Sequence, residues 1–533
     1  MKYAKEKELE KVYNEHIILT SIDDKNPKEI LQICGELIDS SFYLKKEDGV
    51  KKAILFLEEL KNKSLSEEQK GRLYYYLGNA YEDFDTINST NTFSWNNENK
   101  EKAILNYRKA LGNKLDNNVK TQTLINLANL YDTLGRFVKG VELYQQALDE
   151  KAEEYSTCMA NGNKGISLIQ YAKIIYDKNH RLYFGYFAYH CLKEAINNSQ
   201  NTTEEKKAFE EYLKKLNIKT LEKIKEEDLK LNDFSLGESE EERQYRQWCL
   251  KNCLFLNPIN DLGRYNIAAH DVLHLPNMIL EINQNHVEFP SFFNQLKQEY
   301  VSARYLVYEG ITNTGTKHFS DKDVLLINPL DYPRYSLNVE KIKISFKTLY
   351  SIFDKISLFL RRYLKLIFNK DHEINFRKIW YEDGRFRQRI LHQNIVSLNN
   401  RAFQGLFMIS KDLLFHHPDR NQDKIGIDEL KNSLEPSAKG INQLRNNLEH
   451  GYVKVHEDFY NLENDGMFKD NLSYSLKESE LIDYSKKLLK LCREALIYLS
   501  LGVHIEEMKK EKNSKGKIIP PINSDIYEDD WKH

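Results

Sequence analysis

The chain has 533 residues, 78 Lys and Arg against 80 Asp and Glu, and a formal net charge of −2. That balance excludes a protein that gathers nucleic acid by bulk positive field and leaves only a local basic patch for that purpose. With 41% hydrophobic residues but only 10 Pro and 22 Gly, the chain reads as globular and helix-rich, an all-α protein large enough for several cores.

The first sixteen residues, MKYAKEKELEKVYNEH, carry no apolar run of the signal-peptide kind, and no apolar window reaches the ~18 residues of a membrane span. A cytoplasmic protein with no membrane partner is expected. Of six cysteines, only Cys249 and Cys253 are close in sequence, and no second pair accompanies them. All six read as reduced core thiols rather than a zinc site.

Residues 1–230 repeat a small-x3-large-x2-small pattern. It appears at Ala103/Tyr107/Ala110, Gly140/Tyr144/Ala147 and Ala188/Leu192/Ala195, and in degenerate form at Ala53/Leu57/Leu60. Further helical stretches supply Leu77, Gly78 and Tyr81, then Leu127, Ala128 and Tyr131. Small residues let two helices approach and large ones fill the gaps, which a generic bundle also needs. The pattern resembles the tetratricopeptide repeat, best over residues 70–150, with its spacing of about 34 residues stretched by inserts such as DTINSTNTFSWNNENKE. The resemblance implies a concave surface for a peptide, protein or RNA partner, and no chemistry.

Residues 200–240 are dense in charge. They read as a long solvated helix followed by a turn at NDFSLGESEEE, which puts a boundary near residue 230. Residues 231–335 form a mainly helical connecting region. Within it, YRQWCLKNCLFLNPINDLG is too apolar for a linker and must pack against something. His270 and His274 are spaced by one helical turn, which suits a shared metal, yet the Glu of a metalloprotease helix and a third ligand are missing. A structural pair is the main reading, and no metal or cofactor is assigned. SFFNQLKQEYVSARYLVYEG reads as a helix, and VLLINPLDYPRYS as a short buried segment with a proline turn.

Residues 336–505 form the third region. A long helix begins near Val339, with Ile344, Phe346, Leu349, Ile352, Phe353, Ile356, Leu358 and Leu360 apolar around much of its circumference. It is expected at the centre of a bundle. Asp354 and Lys355 interrupt it, and a buried charge needs a partner. Asp354 is either half of an ion pair or edge position, or orients a basic residue on a facing helix. Residues 506–533 mix charge, Gly and a Pro pair and read as a flexible tail.

AKGINQLRNNLEHGYVKVHEDF, residues 438–459, has Ile441, Leu444 and Leu448 at helical spacing. Asn446 and His450 share one face, and Arg445 and Glu449 form a second pair four apart. The spacing of arginine and histidine is weak by itself, since Arg387–His392, Arg385–His392 and Arg264–His270 match it too. Asn446 beside the arginine, the fresh helix start, and the later helical stretch KESELIDYSKKLLKLCREALIYLSLGVH favour this copy. A salt-bridged solvent face is the plainer reading.

With YRQWCLKNCLFLNPINDL, FKTLYSIFDKISLFL and LRNNLEHGYVKV in place, the segment from about 245 to 503 resembles the HEPN domain of the LA2681-like type. The resemblance implies a helical bundle acting as a metal-independent endoribonuclease, with Arg445, Asn446 and His450 as the catalytic set and Asp354 in support. It also implies an RNA substrate, tRNA foremost, and a homodimer through the C-terminal domain. A conditional toxin of anti-phage or stress defence, with a protein or phage-derived activator on the repeats, completes that expectation. The chemistry is consistent: RNA brings its own 2′-OH nucleophile, histidine moves the proton, and arginine meets the phosphate with a rigid fork. Glu449 is placed to pair with Arg445. On an ideal helix Arg445 and His450 point ~140° apart, so convergence needs side-chain reach, a bend or a partner subunit. A non-catalytic dimeric scaffold is the alternative. Neither GxxxxGK[ST] nor GxSxG occurs, which speaks against a P-loop enzyme or a serine hydrolase.

Overall fold

The computed structural model describes residues 2–88, 95–150, 152–197, 203–279, 287–313, 315, 317–368, 374–382, 390–413, 437–462, 470, 472–514 and 526–532. The chain opens with α1 (Lys2–Ile17), α2 (Pro27–Leu44), α3 (Glu47–Leu60), α4 (Glu67–Asn88), α5 (Glu98–Leu111), α6 (Asn117–Thr133), α7 (Phe137–Asp149), α8 (Glu154–Ala172) and α9 (Lys178–Asn197). Local signals start several of them. Asn26 and Glu29 form a capping box on α2, and the side chains of Asn97 and Asp116 cap α5 and α6. The helices pack in sequential pairs, α2 with α3, α4 with α5, α6 with α7 and α8 with α9, while α2, α4, α6 and α8 touch in succession. The result is a stacked helical array. The small and large residues of the repeated pattern are all buried. A Cβ at Gly78 would overlap the ring of Tyr107, so the close approach of α4 and α5 requires glycine there.

After α9 the chain forms α10 (Thr203–Leu213), α11 (Ile218–Leu221) and a 3-10 turn at Glu226–Leu229. The expected long solvated helix is therefore broken. Leu221, Leu229 and Leu231 fold back onto Tyr186 and Tyr189 of α9, and a straight helix would leave them in water. α12 (Glu240–Lys251) leads into irregular chain whose Leu254, Phe255, Leu256 and Ile259 are buried, as the apolar content of that stretch requires.

The C-terminal part is a bundle of α13 (Glu288–Thr312), α14 (Leu337–Tyr363), α15 (Gln393–Val396), α16 (Arg401–Asp412), α17 (Ala438–His450) and α18 (Glu478–Asn513). α13, α14 and α18 pack on one another, α16 lies on α18, and α17 lies on α14. Between α17 and α18, β1 (Val453–His456) and β2 (Tyr474–Lys477) form a short parallel pair with Val453 opposite Tyr474. Apart from two isolated bridges, Pro333 with His456 and Tyr381 with Leu391, the other regular elements among the described residues are helical.

Four further expectations differ from the structure. His270 and His274 lie on irregular chain, not on a helix; His270 stacks on Phe234 at 4.4 Å and His274 packs on Tyr176 at 4.6 Å. Among the described residues no group of three or more His, Cys, Asp or Glu is placed to hold a metal. The segment Val324–Ile327 is exposed, not buried, with Leu325 at 92%. Ile344 and Leu358 of α14 also face solvent, so the apolar surface of that helix is a broad stripe rather than a full circumference. Finally, α18 runs past residue 505 to Asn513, and Glu506 and Glu507 are buried within it. The tail expected from 506 thus begins inside a packed helix.

One hydrophobic core extends from Tyr75 in α4 to Val503 in α18, so the array and the bundle are not separate cores. Buried charge ties them as well. Arg108 Nη1 donates to Asp412 Oδ1 at 2.7 Å, and Arg136 bridges Asp412 to Glu494. Tyr498 donates to Glu494 at 2.7 Å and accepts from the Val138 amide at 3.1 Å. Burial pushes the Asp412 carboxyl up, but Arg108 and Arg136 more than offset it and hold it below the ordinary range. Gly135, at φ +84°, and Gly405 let the α6–α7 turn press on α16, since a Cβ at either would overlap the other's backbone or its neighbour's.

Candidate active site

α17 is placed by Ile441 and Leu444, which are buried as their spacing predicts, and by Gly440, which admits the ring of Tyr484 from α18. The helix ends at His450, and Gly451 leaves helical backbone at φ −138° and ψ −147°. The turn leads directly into β1, where Val453 and Val455 are buried. Lys454 is buried too, paired with Asp331 at 2.8 Å and Asp470 at 2.9 Å. The strand was not legible in the sequence because V-K-V-H is too short a run to separate from a loop.

Arg445 is half-buried and lies on the side of α17 that meets α14. Its guanidinium carbon is 5.5 Å from the centroid of the Tyr350 ring. Its Nη1 donates to Asn446 Oδ1 at 3.0 Å, and Asn446 Nδ2 donates to Asn442 Oδ1 at 3.1 Å. Asn446 is thereby a holder of the arginine. Glu449 does not take that role: its carboxylate is 4.0 Å from Lys347, at the edge of ion-pair range and exposed. The i, i+4 pairing expected between Arg445 and Glu449 is replaced by the shorter contact to Asn446.

Arg445 opens onto a pocket of about 50 Å³. Asp354, from the interrupted apolar run of α14, lines the same pocket. Two helices about ninety residues apart in sequence thus bring a carboxylate and a guanidinium to the wall of one pocket, where Asp354 holds a backbone turn rather than a basic side chain of the facing helix. Asp354 makes no ion pair with Arg445. Its Oδ1 accepts instead from the Phe376 amide at 3.3 Å, in a turn that adds Asn375, Phe376 and Arg377 to the pocket wall. Sequence reasoning missed Tyr350, Asn375 and Arg377. For Tyr350 a signal existed, one turn before Asp354 on α14; for Arg377 the signal was a charged residue set between apolar anchors in INFRKIW. Burial pushes the Tyr350 hydroxyl up, and the positive charges of Arg377 and Arg445 pull against that.

His450 is exposed at the end of α17 and does not line this pocket. The single chain therefore brings Arg445, Asn446 and Asp354 together and leaves His450 apart, on the helical geometry that separates positions five residues apart. The two other motif copies that use His392 involve Arg385 and Arg387, which lie outside the described residues. Residues 414–436, which include most of the stretch expected to precede α17, also lie outside them.

Residues 280–506 match the family model described as LA2681-like HEPN. The match contains α13 to α17, most of α18 and every residue of the candidate site. No curated protein and no solved structure matches the chain.

Proposed function

We propose that the protein is a metal-independent endoribonuclease that cleaves tRNA or another structured RNA. The observation that carries this reading is the pocket shared by Arg445 and Asp354, inside the region that matches a HEPN family model. Arg445, held by Asn446, presents a planar fork to a backbone phosphate and stabilises charge that builds on it. The nucleophile is the substrate's own 2′-OH. His450 takes its proton or protonates the 5′-oxygen leaving group. No step calls for a metal.

Because His450 is exposed and outside the Arg445 pocket, the complete site is read as a composite of two chains related by a two-fold axis. An apolar strip supports a protein contact beside the motif. Leu325, Ile327, Leu330 and Tyr332 are exposed, and their segment runs onto β1, with the Arg334 amide donating to Val455 O at 2.7 Å. The helical array is read as the regulatory part, receiving a protein or phage-derived activator, which makes the enzyme a conditional toxin of defence or stress acting on cytoplasmic RNA.

The test is incubation of the purified full chain with total tRNA and mRNA in excess EDTA, with end-group analysis. Products ending in a 2′,3′-cyclic phosphate, absent with His450→Ala, are expected. Mg²⁺-dependent products with 5′-phosphates would point to a different nuclease chemistry. One observation favours a second reading, a non-catalytic scaffold: within one chain, His450 does not meet Arg445. That reading takes over if H450A is as toxic in cells as the wild type.

A further inference from the structure

We propose that Arg377 and Arg445 together form the phosphate-binding site of this pocket, with Asp354 acting as the positioning residue for Arg377. The inference rests on the ribonuclease reading and names what grips the RNA backbone in it.

The pocket wall holds two guanidiniums against one carboxylate, so its net charge is positive although the whole chain is slightly acidic. The two arginines reach it from different elements: Arg445 from α17, Arg377 from the turn before Trp380. Both are half-buried, and among the described residues neither guanidinium has a carboxylate within ion-pair distance. Elsewhere the chain satisfies its well-buried arginines: Arg304 with Asp271 at 2.7 Å, Arg493 with Asp261 at 2.6 Å, and Arg136 with Glu494 and Asp412. Two neighbouring cations without counter-ions in a small concave site repel each other unless an anion joins them. A tetrahedral phosphate oxyanion offers acceptors to two forks at once.

The turn that presents Arg377 is built to hold still. Trp380 is fully buried, and its Nε1 donates to Phe376 O at 2.7 Å. Asn375 Oδ1 accepts from the Arg377 amide at 3.1 Å and the Lys378 amide at 3.2 Å. Asp354 closes the other side by accepting from the Phe376 amide. The carboxylate of Asp354 thus fixes the backbone beside Arg377 and does not neutralise Arg445. The ligand class follows: a phosphodiester of an RNA backbone, held by shape and charge with no reading of bases.

The test is fluorescence anisotropy on the full chain with a labelled RNA hairpin made uncleavable by 2′-O-methylation, from about 50 to about 200 mM salt. Arg377→Gln is expected to weaken binding roughly tenfold and to make the slope of log affinity against log salt shallower by about one, the loss of one phosphate contact. Arg377→Lys keeps the slope and loses affinity, because charge remains and the fork does not. Asp354→Ala weakens binding as R377Q does, whereas Asp354→Asn, which keeps the acceptor oxygen and removes a negative charge, binds at least as well as the wild type. Thermal unfolding of each variant separates these effects from misfolding. Wild-type affinity and slope in R377Q overturn the proposal, as does a D354N that binds as weakly as D354A. A wild-type chain that does not bind the hairpin overturns it together with the ribonuclease reading. Cleavage of the unmodified hairpin by H450A at the wild-type rate overturns the catalytic assignment alone, because R377Q reports on binding and His450 on chemistry.

Discussion

His450 carries the proton in the proposed reaction and touches nothing that the fold depends on, since it is exposed at a helix end. His450→Ala is therefore expected to reduce cleavage by about 10²–10⁴ with the unfolding temperature unchanged. Arg445→Lys should recover little of the activity lost in Arg445→Ala, because a point charge cannot reproduce the fork or the hydrogen bond to Asn446. A further prediction concerns α4, far from the site. Burial raises the Glu82 carboxyl from its ordinary value of 4.5 to about 7, against the hydrogen bond from Tyr107 that lowers it. Asp83, raised by burial and then by Glu82, stands at about 8. A carboxyl whose folded pKa exceeds its unfolded one binds more protons when folded, so its contribution is full below about 4.5 and is lost as pH rises through about 7. Glu82→Gln removes the titrating group. The variant is expected to unfold at a higher temperature than the wild type at pH 8, with the gap closing towards pH 5, as thermal melts across that range will show. A gap independent of pH would refute the raised carboxyl.

At the scale of elements, α18 is where the chain's end becomes part of its core. Glu507 Oε2 accepts from the Ile279 amide at 2.6 Å, and its other oxygen accepts from Tyr363 at 2.6 Å. Glu506 accepts from Asn400 at 2.7 Å, which itself caps α16. Removing residues 506–533 strips these acceptors from the buried Asn400 side-chain amide, at ~1–3 kcal/mol, and from the half-buried Ile279 amide and Tyr363 hydroxyl, at less. Removing residues 515–533 leaves them in place. Differential scanning calorimetry should show a large drop in unfolding temperature for the first truncation and almost none for the second. Equal effects would mean that the bonds from Glu506 and Glu507 contribute nothing.

For the whole molecule, the shared core changes what an isolated bundle can be. A chain cut to residues 240–533 keeps Asp412 and Glu494 but loses Arg108 and Arg136, and it uncovers Tyr498 and Arg401 where Phe137 packs. It is expected to be insoluble or partly unfolded, so excising the array does not test whether the array inhibits. Arg136→Ala in the full chain is the sharper probe. Leaving Glu494 buried without its partner costs about 3–5 kcal/mol. One cooperative transition at lower temperature is expected in circular dichroism, and two separated transitions would mean that array and bundle unfold independently. The proposed composite site makes a further demand. Light scattering at micromolar protein should give twice the chain mass, and a monomer that cleaves RNA would remove the need for a second His450.

Local chemistry decided the helices. The small-large pattern around Tyr107 and Tyr144, the caps at Asn26 and Asp116, and the Ile441–Leu444 spacing of α17 each act within a turn or two of chain, which is why sequence determines them. It also determined that Arg445, Asn446 and His450 share a helix, and that the buried stretch after Tyr245 has to pack. Tertiary structure decided the rest. Whether Val324–Ile327 is covered depends on neighbours remote in sequence, and those neighbours leave it in water. The pairing of Arg136 with Asp412 and Glu494 joins residues that are hundreds of positions apart, so no local pattern announces it. The pocket is the same case: Asp354, Arg377 and Arg445 come from three separate segments, and only the packing of α14 against α17 and the turn before Trp380 makes them one site. The fold likewise separates His450 from that pocket, because a helix fixes the angle between two of its residues and only contact with another surface can close it.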